Sequence, residues 1–246
     1  MRALLPVPDP ASDVHEVYAR DWLARSALRV NFVASADGAV AVHGLSRGLQ
    51  TPGDNHVFAA LRDLADVVLV GGGTARAENY RPVVADERRS AARARFGLAP
   101  LLPVAVVSAR LDLDLDGPLL RPVEGAARAI VITHRASDPA ARARLAEVAD
   151  VLVAGQDRVD LSAAVHQLAE RGLRRVVCEG GPSLFSALLA GGVVDELCLT
   201  VSPLLAGAGA GRITGGAPWA ADLTPRLTVV SLLEEDDALF CRYRVG

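Results

Sequence analysis

The sequence predicts an α/β protein: a largely parallel, helix-covered sheet that ends in antiparallel strands. Three observations carry this. Short apolar runs alternate with helix-period stretches as far as Ala190. Beyond that point only strand patterns remain, which puts an antiparallel edge at the carboxyl end. Two of the apolar runs pass straight into glycine turns followed by helical patterns, Val67–Val70 into Gly71-Gly72-Gly73-Thr74 and Val176–Cys178 into Glu179-Gly180-Gly181-Pro182-Ser183. Such strand–turn–helix junctions stand at the ligand-binding edge of open α/β sheets.

Residues 1–27 read as a peripheral extension, with a proline-rich start and a short helix around Ser12–Ala24; residues 28–246 read as the main domain. Val30–Ser35 is a strand and Asp37-Gly38 a turn. Asp54–Asp66 is a helix whose apolar stripe is Val57, Phe58, Leu61, Leu64 and Ala65, with Asp54 as its N-cap. A brief helix follows Val67–Val70. Arg81–Leu102 reads as an exposed, arginine-rich connection, and Arg88-Arg89, Arg93 and Arg95 as a solvated face. Val104–Val107 and Ala129–Thr133 are strands. Ser137 or Asp138 caps a helix with Pro139 in its first turn. Val151–Ala154 is a strand, Asp160–Arg171 a helix closed by Gly172, and Pro182–Ala190 a helix. Leu197–Val201, Leu227–Leu233 and Ala238–Val245 are the closing strands. Ala206–Ala221 is a glycine- and alanine-rich loop whose composition shows only flexibility; with Trp219 it is a candidate cover for the pocket.

Composition narrows the function. The 246 residues are 51% hydrophobic, enough for a sizeable core. Net charge is −3, which does not indicate a nucleic-acid surface. All 26 basic residues are arginine, so a Schiff-base lysine and a P-loop lysine are excluded and any cationic contact to phosphate comes from arginine. Cys178, Cys198 and Cys241 lie far apart inside apolar runs and read as buried free thiols; no CxxC, HExxH or HxH suggests a metal. The amino terminus lacks the apolar core of a signal peptide, and no run has the ~18 apolar residues of a membrane span. A cytoplasmic protein without membrane or nucleic-acid partners is expected.

The glycine junctions are tight turns or anion cradles. As cradles they place backbone N–H groups and a helix N-terminus where a nucleotide phosphate binds, and two of them in one sheet fit a dinucleotide clamp. Ser108 closes a third strand in the same way. Asp37 is either a turn residue or a carboxylate serving substrate. Glu179, between an apolar strand and a diglycine, has no turn role of its own. Asp195-Glu196 reads as a structural cap. Arg62 either reaches an anion or salt-bridges on the helix flank, and Ser46-Arg47 either binds phosphate or belongs to a loop. Arg110 and Arg135, just after strands, are 2′-phosphate candidates or surface charge.

Ser35-Ala36-Asp37-Gly38, Leu61-Arg62, VVLVGGGTARAE (Val67–Glu78), Glu179–Leu184, Val194-Asp195-Glu196 and Ser202–Gly207 occur together in the order found in one family. Over about residues 28–245 the chain resembles the reductase domain of the bacterial riboflavin-pathway deaminase–reductase, the pyrimidine reductases of dihydrofolate-reductase-like fold. The resemblance implies a three-layer α/β/α fold with a mostly parallel mixed sheet and an antiparallel C-terminal edge. It also implies NADPH as hydride donor, a homodimer, and reduction of the ribose of a phosphoribosylaminopyrimidine, as in 5-amino-6-(5-phosphoribosylamino)uracil. By position it assigns cofactor contacts to Ala34, Gly73, Thr74, Glu78, Ser108, Gly180, Gly181, Pro182, Ser183, Leu184, Phe185, Ser186 and Ala187. It assigns substrate contacts to Asn31, Ser46, Arg62 and Glu179, and chemistry to Asp37 and Glu179. Asn31 stands where many members carry lysine, and residues 1–27 hold no HxE or PCxxC, so deamination is not expected. Reduction of dihydrofolate or another pterin, with a different hydride carrier such as a deazaflavin, is the alternative; a non-catalytic NADP-binding module is the third reading.

Overall fold

Ala27–Ser35 is buried along nearly its whole length, as a strand covered on both faces must be, and it is the centre of the sheet (β2). The computed structural model describes residues 1–216, 219 and 224–246. In chain order the elements are β1 (Arg2–Leu5), α1 (Val14–Ala19), β2, a 3₁₀ turn (Ser46–Leu49), α2 (Pro52–Asp63), β3 (Val67–Gly71), α3 (Gly72–Ala77) and α4 (Glu87–Arg95). Then come β4 (Val104–Val107), β5 (Ile130–Thr133), α5 (Pro139–Val148), β6 (Asp150–Val153), α6 (Leu161–Glu170), β7 (Arg175–Cys178) and α7 (Pro182–Ala190). The chain closes with β8 (Glu196–Ser202), β9 (Leu227–Glu235) and β10 (Ala238–Val245).

Among the described residues the ten strands form one sheet in the order β1-β9-β10-β8-β2-β7-β3-β4-β5-β6. Pairing is parallel from β8 through β2 to β6 and antiparallel from β8 outward to β1. One core packs α1, α2, α3 and α5 on one face, and a second packs α6 and α7 on the other. The result is the α/β/α sandwich with an antiparallel carboxyl-terminal edge that the alternation predicts. Parallel pairing brings the carboxyl ends of β2, β3 and β7 to a single edge, where both glycine junctions lie.

The structure corrects three readings. Residues 1–27 are not peripheral: β1 pairs with β9 at the sheet edge, and Tyr18 and Trp22 are fully buried. Their polar and proline-rich flanks conceal two anchoring aromatics. The segment 81–102 is not merely exposed, since Arg93 is buried and its guanidinium donates to the carbonyls of Arg62, Asp63 and Ala65 at the end of α2, and to Ala99. Five donors on one side chain suit it to the carbonyls that a helix end leaves open. The cap of α2 is Thr51 rather than Asp54: the Asp54 N–H donates to Thr51 Oγ1 at 3.1 Å and Pro52 takes the first helical position. That frees the Asp54 side chain from capping.

Asp138 caps α5, Asp160 caps α6, and the three cysteines are buried free thiols. Of the loop Ala206–Ala221, residues 217, 218, 220 and 221 lie outside the described residues; Trp219 packs partly buried against the α7-side core. No helix among the described residues is long and apolar enough to cross a membrane.

Candidate active site

Where β7 ends, Glu179 N–H donates to Leu69 O at 2.9 Å, and Gly71 N–H donates to Gly180 O at 2.8 Å. These bonds clamp the two glycine junctions side by side. The fit leaves no room for side chains. A Cβ on Gly180, which has φ +85°, would meet Phe32 Cζ at 2.9 Å, and one on Gly181 would meet Thr74 Oγ1 at 2.4 Å. Gly181 is the N-cap of α7 and no side chain caps that helix, so the opening N–H groups stay available at the positive end of its dipole.

A cavity of about 530 Å³ opens beside this junction. Asn31 and Phe32 of β2 line it, with Ser46 and Arg47 of the 3₁₀ turn, Asp54, Phe58 and Arg62 of α2, Thr74 of α3, Glu78, Tyr80 and Arg81 from the loop after α3, and Glu179, Gly181 and Pro182. At its centre Arg62 grips Glu179 with two parallel bonds, Nε to Oε1 at 2.7 Å and Nη2 to Oε2 at 2.8 Å. The Tyr80 hydroxyl donates to Oε2 at 2.7 Å. The Arg62 guanidinium lies 4.3 Å from the centre of the Phe58 ring. Burial works against its charge, but the Glu179 carboxylate outweighs burial and holds Arg62 above its ordinary value. Burial, and then Glu179, push the Tyr80 phenol well above its usual range, so it stays a donor. Of the two readings of Arg62, the salt bridge is therefore realised, and it lies inside the cavity.

Ser46 and Glu78 also meet: the Ser46 N–H and hydroxyl donate to Glu78 Oε1 at 3.2 and 3.0 Å. The resemblance gave one to substrate and the other to cofactor; the structure joins them on one wall. Arg47 and Arg81 line the same cavity, and neither forms a salt bridge among the described residues.

Other expected residues lie elsewhere. Asp37 is exposed and does not line the cavity. Its carboxylate accepts from the Ser35 hydroxyl and from the N–H groups of Ala206 and Gly207, at 3.1 and 2.8 Å for the two amides. Those bonds, Ser35 foremost, bring its pKa down to about 2. Asp37 thus anchors the glycine-rich loop, which runs on to Gly215, whose N–H donates to Ser186 Oγ at 3.0 Å. Leu184, Phe185 and Ser186 are buried in α7, with Phe185 5.4 Å from the Phe32 ring, so their side chains support the junction from behind. Ala34 is buried in β2, Ser108 is buried against Gly72, Gly73 faces open space, and Ser183 and Ala187 are exposed on α7. Arg110 is exposed on the turn after β4. Asp195 and Glu196 are structural: Asp195 accepts from the Leu28 N–H, and Glu196 is buried among arginines.

Sequence reasoning missed Tyr80, Asp54 and Phe58 as site residues. Tyr80 has no periodic signal, because it reaches Glu179 from a loop. Asp54 and Phe58 had one in hindsight: they are one helical turn apart, and a cap at Thr51 puts Asp54 on the side of Phe58.

The model for the RibD C-terminal domain matches residues 26–238. The chain is 30% identical over 179 residues to the 2,5-diamino-6-ribosylamino-4(3H)-pyrimidinone 5′-phosphate reductase of Archaeoglobus fulgidus, covering 72% of this chain and 80% of that protein. The enzyme of the same name from Methanothermobacter thermautotrophicus is also 30% identical, over 72% of this chain and 78% of its own length. A pyrimidine reductase-like protein from Corynebacterium diphtheriae superposes with a TM-score of 0.78 at 28% identity, covering 90% of this chain and 92% of that one.

Proposed function

The chain belongs to the RibD C-terminal domain family, and on that premise we propose that it is an NADPH-dependent reductase of a phosphorylated ribosylaminopyrimidine in riboflavin biosynthesis. The single observation that carries the reading is the uncapped α7 N-terminus opening beside the cavity that holds the Arg62–Glu179–Tyr80 cluster. An anion cradle and an organised charged wall together suit a dinucleotide lying against a small polar substrate.

The junction fits a nicotinamide dinucleotide by its geometry. Gly181 and the first N–H groups of α7 would hold the diphosphate, and Thr74 Oγ1 faces them from the other junction. Bound there, the cofactor supplies a hydride, and the protein contributes orientation and electrostatics. Glu179 holds Arg62 in one rotamer with its charge intact, and Phe58 supports the guanidinium face. Arg47, Arg81 and Ser46 would bind the sugar phosphate at the cavity wall. Glu179 is occupied by Arg62 and Tyr80, and Asp37 lies outside the cavity. Neither of these two carboxylates is therefore placed to deliver the proton that completes reduction of the sugar's C=N or carbonyl carbon. A homodimer is part of the reading, since β9 presents Leu227 and Val229 at 46% and 48% exposure.

The test is direct. NADPH should raise the melting temperature of the purified protein, as any ligand of the native state must. NADPH should then be oxidised on adding the phosphoribosylaminopyrimidine, with the ribitol product identified by mass. No thermal shift at millimolar NADPH, or no oxidation with substrate, overturns the reading.

A further inference from the structure

We propose that Asp37 is a positioning residue for the cofactor: it fastens the segment Ala206–Gly216 as a clasp beside the first turn of α7, and the clasp retains the bound dinucleotide. The inference rests on the reductase reading above.

The segment is built so that its order must come from outside it. Glycine stands at 207, 209, 211, 215 and 216, and alanine at 206, 208 and 210. Such backbone has the most conformational freedom to lose on becoming ordered. Three stations hold it. Asp37 accepts from the N–H groups of Ala206 and Gly207, and the Ser35 hydroxyl donates to the same carboxylate. Val40 N–H donates to Gly211 O at 3.1 Å. At the far end Gly215 N–H donates to Ser186 Oγ at 3.0 Å, and Ile213 packs partly buried against the α7-side core.

The stations touch both parts of the site. Val40 lines the cavity, as does Pro182 at the start of α7. The far end of the segment comes down on that helix start: a Cβ on Gly215 would meet Pro182 Cβ at 3.2 Å and lie 3.9 Å from Ser183 N, and one on Gly216 would meet Ser183 Oγ at 3.4 Å. Ser183 N–H is one of the amides that α7 leaves open. Gly181 and Pro182 still line the cavity, so the segment flanks the cradle without filling it. With Thr74 on Gly181, it gives the cradle a second wall. A wall ordered before binding spares the ligand the entropy of ordering it, and release of the ligand is slowed while the wall stays closed. Asp37 is exposed and outside the cavity, so its carboxylate reaches the cofactor only through this segment.

Trypsin reports the fastening without any ligand. Arg212 lies in the segment and is exposed, and cleavage after it is identified by mass. Wild type, Asp37→Asn, Asp37→Ala and Ser186→Ala are compared, with cleavage at the other arginines as the control for global unfolding. Relative to that control, Asp37→Ala should be cut after Arg212 about tenfold faster, and Asp37→Asn, which keeps one acceptor oxygen, less so. An unchanged ratio overturns the fastening. The same proteins are titrated with NADPH, and its release is followed by stopped flow. Asp37→Ala should bind NADPH about tenfold more weakly, mostly through faster release, and Ser186→Ala severalfold more weakly. With the phosphoribosylaminopyrimidine as oxidant, KM for NADPH should rise in step while kcat is not lowered. A fall in kcat at saturating NADPH gives Asp37 a part in the chemistry and overturns the proposal. Tighter binding does so too, since the segment would then be an obstruction, and so does unchanged binding by a variant whose segment is released. In each of these cases the reductase reading stands. If the wild type binds no NADPH, that reading falls and takes the proposal with it.

Discussion

Glu179 shows how a residue's role depends on what reaches it. From the sequence it is an acid placed at a strand end, ready for proton transfer. In the fold it accepts two bonds from Arg62 and one from Tyr80, so its contribution is to hold Arg62. Arg62→Lys tests this, because a lysine keeps the charge but not the planar, bidentate grip. The variant should lose more than about tenfold in kcat/KM, the scale of one well-placed charge-assisted bond. Glu179→Ala should lose at least as much, while both keep the NADPH-induced rise in melting temperature. Unimpaired turnover in either variant contradicts the assignment. The acid and the arginine were legible in the sequence as separate candidates. Their pairing was not, since the partners are far apart in the chain and meet only when β7 and α2 share one sheet edge. Tyr80 was illegible for a simpler reason: a loop residue has no period to betray its direction.

The two glycine junctions work as one element, and this part was legible. An apolar strand, a diglycine and a proline at the helix start define the Glu179–Ser183 junction without any tertiary information. What the sequence does not reveal is why each glycine is needed. Gly181 is needed because Thr74 of the other junction stands 2.4 Å from where its Cβ would be. Gly181→Ala should therefore abolish the NADPH-induced thermal shift and cost stability through overpacking, about 1–3 kcal/mol. Adding Thr74→Gly removes the obstructing hydroxyl and should recover most of the stability in a double-mutant cycle. Strictly additive losses would separate the two junctions. The N-cap of α2 illustrates the opposite limit. Thr51 and Asp54 are both good caps; in the fold Thr51 caps with Pro52 in the first turn, Gly53 seats against Phe240, and Asp54 lines the cavity.

At the scale of the whole molecule, the long-range order of the sheet rests on one buried acid. Glu196 opens β8 and is fully buried. It takes bonds from Arg29 of β2, from Arg242 of β10 and from Arg25. Arg29 passes the connection to Tyr18 O, and Arg242 to Val17 O and Arg20 O, so the amino-terminal segment is tied to the parallel and antiparallel halves together. The strands themselves were readable from their apolar runs, but this polar hub was not: an isolated glutamate after an aspartate resembles a cap. Burial alone would raise its pKa; the bonds and charges of Arg242 and Arg29 override burial and bring it from 4.5 to about 2. The sign follows. A carboxylate whose pKa is lowered on folding adds stability above its unfolded value of 4.5, and that stability is lost as pH falls through about 2. The difference corresponds to about 3 kcal/mol. Glu196→Gln leaves Arg29 and Arg242 buried without a counter-charge, and should cost about 3–5 kcal/mol at pH 7. Denaturant unfolding of wild type and variant, followed from pH 7 to pH 3, separates this role from simple packing. The wild type should lose stability as pH falls below 4.5, and the gap between the proteins should narrow in that window. A gap that stays constant with pH would mean that the glutamate contributes through its shape rather than through its charge.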